Sequence, residues 1–212
     1  MEDGAFGVAS ALIYPPGAFA TTEELVEIAR TMAPYGGTYI THMRSEADQF
    51  LEALDEAMRL GREGGVPVEI YHFKAAGREN WPKAVQAIAR IDSARAQGQD
   101  IQANMYPYVA GGTGLAACFP PWASADGKLM ENLRSPEVRA RMKAEILQER
   151  TDWENLCRLT TPEGVLLLGL NREEHRKWRG AYLADVARDM GKHWIDAAMD
   201  LMPSPLDVKP AV

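Results

Sequence analysis

Residues 36–74, GGTYITHMRSEADQFLEALDEAMRLGREGGVPVEIYHFK, read as strand, helix, strand. The short apolar run Tyr39 to Met43 predicts one strand and Val66 to Phe73 the next. Between them Ser45 is placed to cap a helix that buries Phe50, Leu51, Leu54, Met58 and Leu60, and Gly64-Gly65 closes it. The two strands end around His42 and His72, thirty residues apart. C-terminal strand ends are where α/β enzymes gather metal ligands and acid–base groups. Each histidine is followed two positions later by a cation, Arg44 or Lys74. Strand alternation directs positions i and i+2 to the same side, so imidazole and cation are expected in one site.

The same rhythm runs outward in both directions. Val8 to Tyr14 predicts a strand stopped by Pro15-Pro16-Gly17. Thr21 with Glu24 has capping-box spacing, and Leu25, Ile28, Ala29 and Met32 recur at helical intervals up to Pro34. A helix from about Trp81 to Ala96 carries Val85, Ile88, Ala89 and Ile91, and Ile101 to Tyr106 predicts a fourth strand. The strand-end residues Tyr14, His42, His72 and Tyr106 are separated by 28, 30 and 34 positions, the spacing of successive βα units in a parallel sheet. That leaves an α/β barrel or an open doubly wound sheet. No Gly-x-Gly-x-x-Gly follows a strand and no P-loop is present, which argues against dinucleotide and nucleotide folds.

Beyond Pro107 the rhythm changes. Gly111-Gly112-Thr113-Gly114 and Pro120-Pro121-Trp122 form a long loop of the kind that carries substrate contacts in barrels. Helices are expected over Gly127 to Leu133, Pro136 to Gln148, Leu183 to Met190 and Ile195 to Met202, with Val165 to Gly169 as a candidate fifth strand. The terminal Lys209-Pro210-Ala211-Val212 adds none. A complete (β/α)8 barrel has eight strands in roughly 250 residues, so four or five strands predict a partial barrel.

Bulk properties narrow the classes. A net charge of −7 without a basic patch argues against a nucleic-acid partner, and no apolar run is long enough for a membrane helix. The start Met1-Glu2-Asp3-Gly4 does not read as a signal peptide. Cys118 and Cys157 fall in no motif and are expected as reduced thiols of a cytoplasmic protein.

Neutral imidazole is a common zinc ligand, and two histidines at equivalent strand ends converge on one point. A catalytic zinc wants three protein ligands, of which two are visible. The alternative is a hydrogen-bonded structural role for each histidine. Arg44 either contacts an anionic substrate group or pairs with Glu46 or another local acid, and Tyr14 and Tyr106 can simply wall a pocket. Asn80-Trp81 reads as the start of a helix. His175 and His193 sit in charged surroundings and are expected to be solvated.

Taken together, Gly4 to Gly17, Gly-Gly-Thr-Tyr-Ile-Thr-His-Met-Arg-Ser-Glu at 36–46, His-Phe-Lys-Ala-Ala-Gly at 72–77, Asn80-Trp81, Tyr106-Pro107-Tyr108 and Gly111-Gly112-Thr113 resemble the N-acyl-D-amino-acid deacylases (D-aminoacylases) of the amidohydrolase superfamily. The match is specific to about residue 122 and softer over the helical region 123–212, the whole forming one incomplete barrel domain. The resemblance implies a distorted (β/α)8 barrel with a zinc site that hydrolyses the linear amide of N-acyl-D-amino acids by metal-activated water. It places metal ligands at His42 and His72, and substrate contacts at Tyr14, Lys74 and Tyr106 with Arg44 nearby. The family's His-x-His and metal-binding cysteine would lie upstream of Met1, and its general-base aspartate beyond Val212. Tyr71 stands where serine is common, Asn104 where aspartate is common, and Gly112 where some members place a pocket serine. The expectation is therefore a fragment with little or no activity alone. A cyclic-amide hydrolase of the hydantoinase or dihydroorotase kind, or a non-catalytic half-barrel that self-associates through its sheet edges, are the competing readings.

Overall fold

The computed structural model describes residues 1–149 and 151–202, so the stretch Lys209 to Val212 lies outside them. The chain divides into two compact units, Met1–Gly111 and Gly112–Val212.

The first unit is a parallel sheet of four strands in the order β1 (Gly7–Ala11), β2 (Thr38–His42), β3 (Val68–Ile70), β4 (Ile101–Ala103). Helices α1 (Thr22–Met32), α2 (Phe50–Gly64) and α3 (Lys83–Ala96) connect them in turn. Sequential order with one helix per crossover is the arrangement the spacing predicts. Thr21 caps α1 reciprocally with Glu24, satisfying two amide donors that the helix cannot.

The core lies between sheet and helices. Leu25, Val26, Ala29 and Met32 of α1 meet Phe50, Leu54, Ala57 and Leu60 of α2, Tyr39 of β2 and Ile70 of β3. Each large apolar side chain among them contributes about 1.5–3 kcal/mol by leaving water. A side chain at Gly64 would press a Cβ to 2.4 Å from the Ala29 Cβ, so glycine sets how closely α1 and α2 approach. Gly65 then ends α2 at φ 69°, the left-handed turn glycine adopts without penalty.

Three expectations are corrected in this unit. The strands are shorter than their apolar runs, because the chain leaves the regular ladder before Tyr14, His72 and Tyr106 are reached. Ser45 does not cap α2. Its Oγ accepts the Ala47 and Gln49 amides, each at 3.2 Å, and makes a turn ahead of the helix. Asn80 closes a short 3-10 turn, Arg78–Asn80, before α3 begins at Lys83.

The second unit is helical: α4 (Leu129–Asn132), α5 (Pro136–Ile146), α6 (Leu156–Gly164), α7 (Leu183–Asp189) and α8 (Trp194–Leu201). Met142, Ile146, Leu183, Val186, Ile195 and Met199 form its core. The candidate strand at Val165 to Gly169 is not formed; a single antiparallel bridge joins Leu166 to Tyr182. α6 escaped detection because Thr161, at φ 55°, and Pro162 interrupt its periodicity.

Two further corrections fall here. Cys118 and Cys157 are disulfide-bonded, which removes the support that free thiols lent to a reducing compartment. His175 is buried against Trp178, with ring centroids 5.6 Å apart, although its neighbours in sequence are charged. His193 is exposed and its Nδ1 caps α8 by accepting the Ile195 amide. No described helix is long and apolar enough to cross a membrane.

Candidate functional site

The C-terminal edge of the sheet carries four rings in strand order. Tyr14 and His42 have centroids 5.2 Å apart, His42 and His72 4.5 Å, and His72 and Tyr106 6.5 Å. The register places His42 opposite Ala11, and the Leu12 amide donates to the His42 carbonyl just beyond. The Tyr71 amide donates to the Thr41 carbonyl in the same way, so main-chain pairing carries the two histidines to one level.

His72 adopts φ 38°, a conformation that costs a non-glycine residue roughly 1–3 kcal/mol unless its surroundings impose it. They do. The Asn104 Oδ1 accepts the His72 amide at 2.8 Å, and Lys74 Nζ donates to the His72 carbonyl at 2.9 Å. Asn104 is itself held by donating to Glu69 at 2.8 Å.

Glu46 is the residue that sequence reasoning underweighted. It is 4% exposed, in the turn between β2 and α2 that Ser45 shapes. Its Oε1 lies 2.8 Å from His72 Nδ1; its Oε2 lies 2.6 Å from Lys74 Nζ and 3.7 Å from His42 Nε2. One ligand atom from each of His42, Glu46 and His72 falls within 4.8 Å of the others. The visible signal was the spacing His42-x-x-x-Glu46 inside the motif, read there only as a local partner for Arg44.

Lys74 stays with the histidines, its ammonium 2.9 Å from His72 Nδ1 and 5.5 Å from the Tyr106 ring centroid. Arg44 goes elsewhere. Its Nε and Nη2 donate to Glu56 of α2, and its Nη1 and Nη2 to the carbonyls of Ala18 and Ala20. β2 has ended at His42, so strand alternation no longer governs Arg44. The local acid it pairs with is Glu56 rather than Glu46.

Burial sets the protonation states. It pushes His42 down to about 4, helped by the charges of His72 and Lys74, and lowers His72 with help from Lys74. Both imidazoles are therefore neutral near pH 7 and hold a lone pair for a metal. Glu46 is raised by burial, which the Lys74 hydrogen bond and charge oppose. Tyr106 is raised by burial and then by Glu46.

These donors fit a divalent metal. Two neutral nitrogens and a carboxylate form a His2Glu set of the kind that binds zinc with a position left open. The buried His42 Nε2 has no hydrogen-bond partner, which a coordinated ion would supply.

Comparison with known proteins gives a consistent lineage. No family model matches the chain. It is 44% identical over 115 residues to a D-aminoacylase of Alcaligenes xylosoxydans xylosoxydans, covering 54% of the chain and 24% of that protein. To an N-acyl-D-glutamate deacylase of the same organism it is 32% identical over 180 residues, covering 84% of the chain and 36% of that protein. Among solved structures, a D-aminoacylase described as defining a novel subset of amidohydrolases superposes with TM-score 0.67 at 29% identity, over 95% of the chain and 34% of that protein. An N-acyl-D-glutamate deacylase of Bordetella bronchiseptica, complexed with zinc and a phosphonate mimic of the tetrahedral intermediate, gives TM-score 0.67 at 27% identity, over 94% and 34%. The chain thus spans roughly a quarter to a third of the length of these relatives.

Proposed function

We propose that this chain, a relative of the N-acyl-D-amino-acid deacylases, carries metal-binding and carboxylate-binding groups for hydrolysis of the linear amide of N-acyl-D-amino acids. The observation that carries the reading is the convergence of His42, Glu46 and His72 with the Lys74 ammonium among them. The four-strand parallel sheet is read as part of a (β/α)8 barrel, with the site at the strands' C-terminal ends.

His42 and His72 would hold a zinc ion as neutral ligands. Bound there, it would supply Lewis-acid chemistry for amide hydrolysis. Lys74 offers a charged donor to the substrate carboxylate. Tyr14 and Tyr106 flank the histidines on either side and bound the space for substrate. Arg44 shapes the loop between β1 and α1 through Ala18 and Ala20 and acts on the pocket indirectly. No general base is assigned among the described residues. The partner is a small N-acyl-D-amino acid, and the relatives favour linear over cyclic amides.

The test is zinc titration of the purified chain, followed by assay with N-acetyl-D-amino acids. Saturable binding lost in His42→Ala and in His72→Ala is expected, with little or no turnover. No zinc binding overturns the metal reading. Turnover abolished by His42→Ala would show that the chain also carries a general base.

A further inference from the structure

We propose that Glu69 is a positioning residue for His72: acting through Asn104, it fixes the backbone turn that aims this imidazole at the site. The consequence for metal rests on the reading above; the positioning itself is measurable in the metal-free chain.

Val68 and Ile70 of β3 enter the core with the helices, so strand alternation turns Glu69 to the opposite face of the sheet. The register sets Glu69 beside Ile40 on one side and Gln102 on the other, each two residues before His42 or Asn104. Glu69 thus stands one layer below the strand-end residues. Asn104 is tied to the extension of β3 by both of its main-chain groups. Its amide donates to the Ile70 carbonyl at 3.0 Å, and its carbonyl accepts the Phe73 amide at 2.7 Å. With the backbone held, the freedom left to Asn104 is rotation of its side-chain amide.

That amide has an accepting end and a donating end. The His72 N–H, in a residue at φ 38°, requires the accepting end, and Asn104 Oδ1 supplies it at 2.8 Å. An ionised carboxylate only accepts. Glu69 Oε1, 2.8 Å from Asn104 Nδ2, therefore engages the donating end and keeps Oδ1 turned to His72. The relay runs in one direction, from Glu69 through Asn104 to the His72 main chain. It also makes asparagine the fitting residue at 104. An aspartate there would set two acceptor-only carboxylates within hydrogen-bond distance, and like charges so close repel.

The test compares wild type with Glu69→Ala, Glu69→Gln, Asn104→Asp and the double variant Glu69→Gln/Asn104→Asp. The first readout is amide hydrogen exchange at His72 in the metal-free chain; the second is zinc affinity by competition with a chromophoric chelator. Glu69→Ala frees the Asn104 amide, so exchange at His72 should quicken about fivefold or more and zinc binding weaken about tenfold. Glu69→Gln keeps an accepting oxygen and should match wild type in both. Asn104→Asp should quicken exchange, and the double variant, whose glutamine donates to the new carboxylate, should restore it. A merely structural role would lower the thermal midpoint of Glu69→Ala without singling out His72. Wild-type exchange at His72 in Glu69→Ala, or quickened exchange with unchanged zinc affinity, overturns the inference. So does a double variant that exchanges as fast as Asn104→Asp. If Asn104→Asp does not fold, Glu69→Ala against Glu69→Gln decides alone. The expected exchange pattern without zinc binding by wild type overturns the metal reading and leaves the positioning of His72 standing.

Discussion

Arg44 and Glu56 form a forked ion pair, with Nε 3.0 Å from Oε2 and Nη2 2.9 Å from Oε1. The pair ties the residues after β2 to α2. Through the carbonyls of Ala18 and Ala20 it also fastens the loop that follows β1.

Arg44→Ala leaves Glu56 partly buried without the two guanidinium donors, Thr22 Oγ1 remaining. Hydrogen bonds to charged groups are each worth about 1.5–3 kcal/mol, so a loss of that order in unfolding free energy is expected by denaturant titration. Zinc affinity should fall far less than in His42→Ala. An equal fall in both variants would place Arg44 within the site.

Acid should destabilise the chain through His42. Its folded value near 4 lies below the ordinary 6.5, so between these pH values the unfolded state binds a proton that the folded state refuses. Stability therefore rises with pH across that window and levels off above it. Melting temperatures from pH 4 to 7 should show the rise, and His42→Gln should flatten it. A slope that survives the substitution assigns the effect to other groups.

Asn104→Ala removes the acceptor that holds the His72 amide and, with it, part of what imposes φ 38° there. The imidazole should lose its fixed aim, so zinc affinity is expected to drop by about tenfold, the usual cost of losing a supporting hydrogen bond at a metal site. The thermal midpoint should move little, because Asn104 is exposed. A large thermal loss with unchanged affinity would make the residue structural.

Reduction should weaken the second unit. Cys118 and Cys157 are 39 residues apart, and closing a loop of that length removes about 4 kcal/mol of unfolded-state entropy. Thermal melts with and without dithiothreitol measure it, with Cys157→Ser giving the same loss. Identical melts in both conditions would show that the bond is not formed in solution.

The strand–helix alternation was legible because periodicity changes sharply at each glycine or proline, and it put Tyr14, His42, His72 and Tyr106 in one row. Glu46 was hidden because it sits in a turn, where no repeat marks which way a side chain points. The burial of α3 could not be read from its pattern for a related reason. Val85 and Ile88 recur at helical spacing yet are 75% and 52% exposed, whereas Ala87 and Ala94, seven positions apart on one face, are buried. Periodicity reports that a helix has an apolar face; it does not say which face the sheet selects. The disulfide was invisible because 39 residues of intervening chain carry no hint of proximity.

The Ala76 amide donates to the Glu46 carbonyl at 2.6 Å, and the Asn80 side chain donates to both Asp48 and the Ala76 carbonyl. The two connections leaving β2 and β3 are therefore a single graftable part. Exchanging residues 43–49 alone for those of a relative would separate main-chain partners that residues 73–81 supply. Chimaeras built between this chain and its relatives need both segments transplanted together.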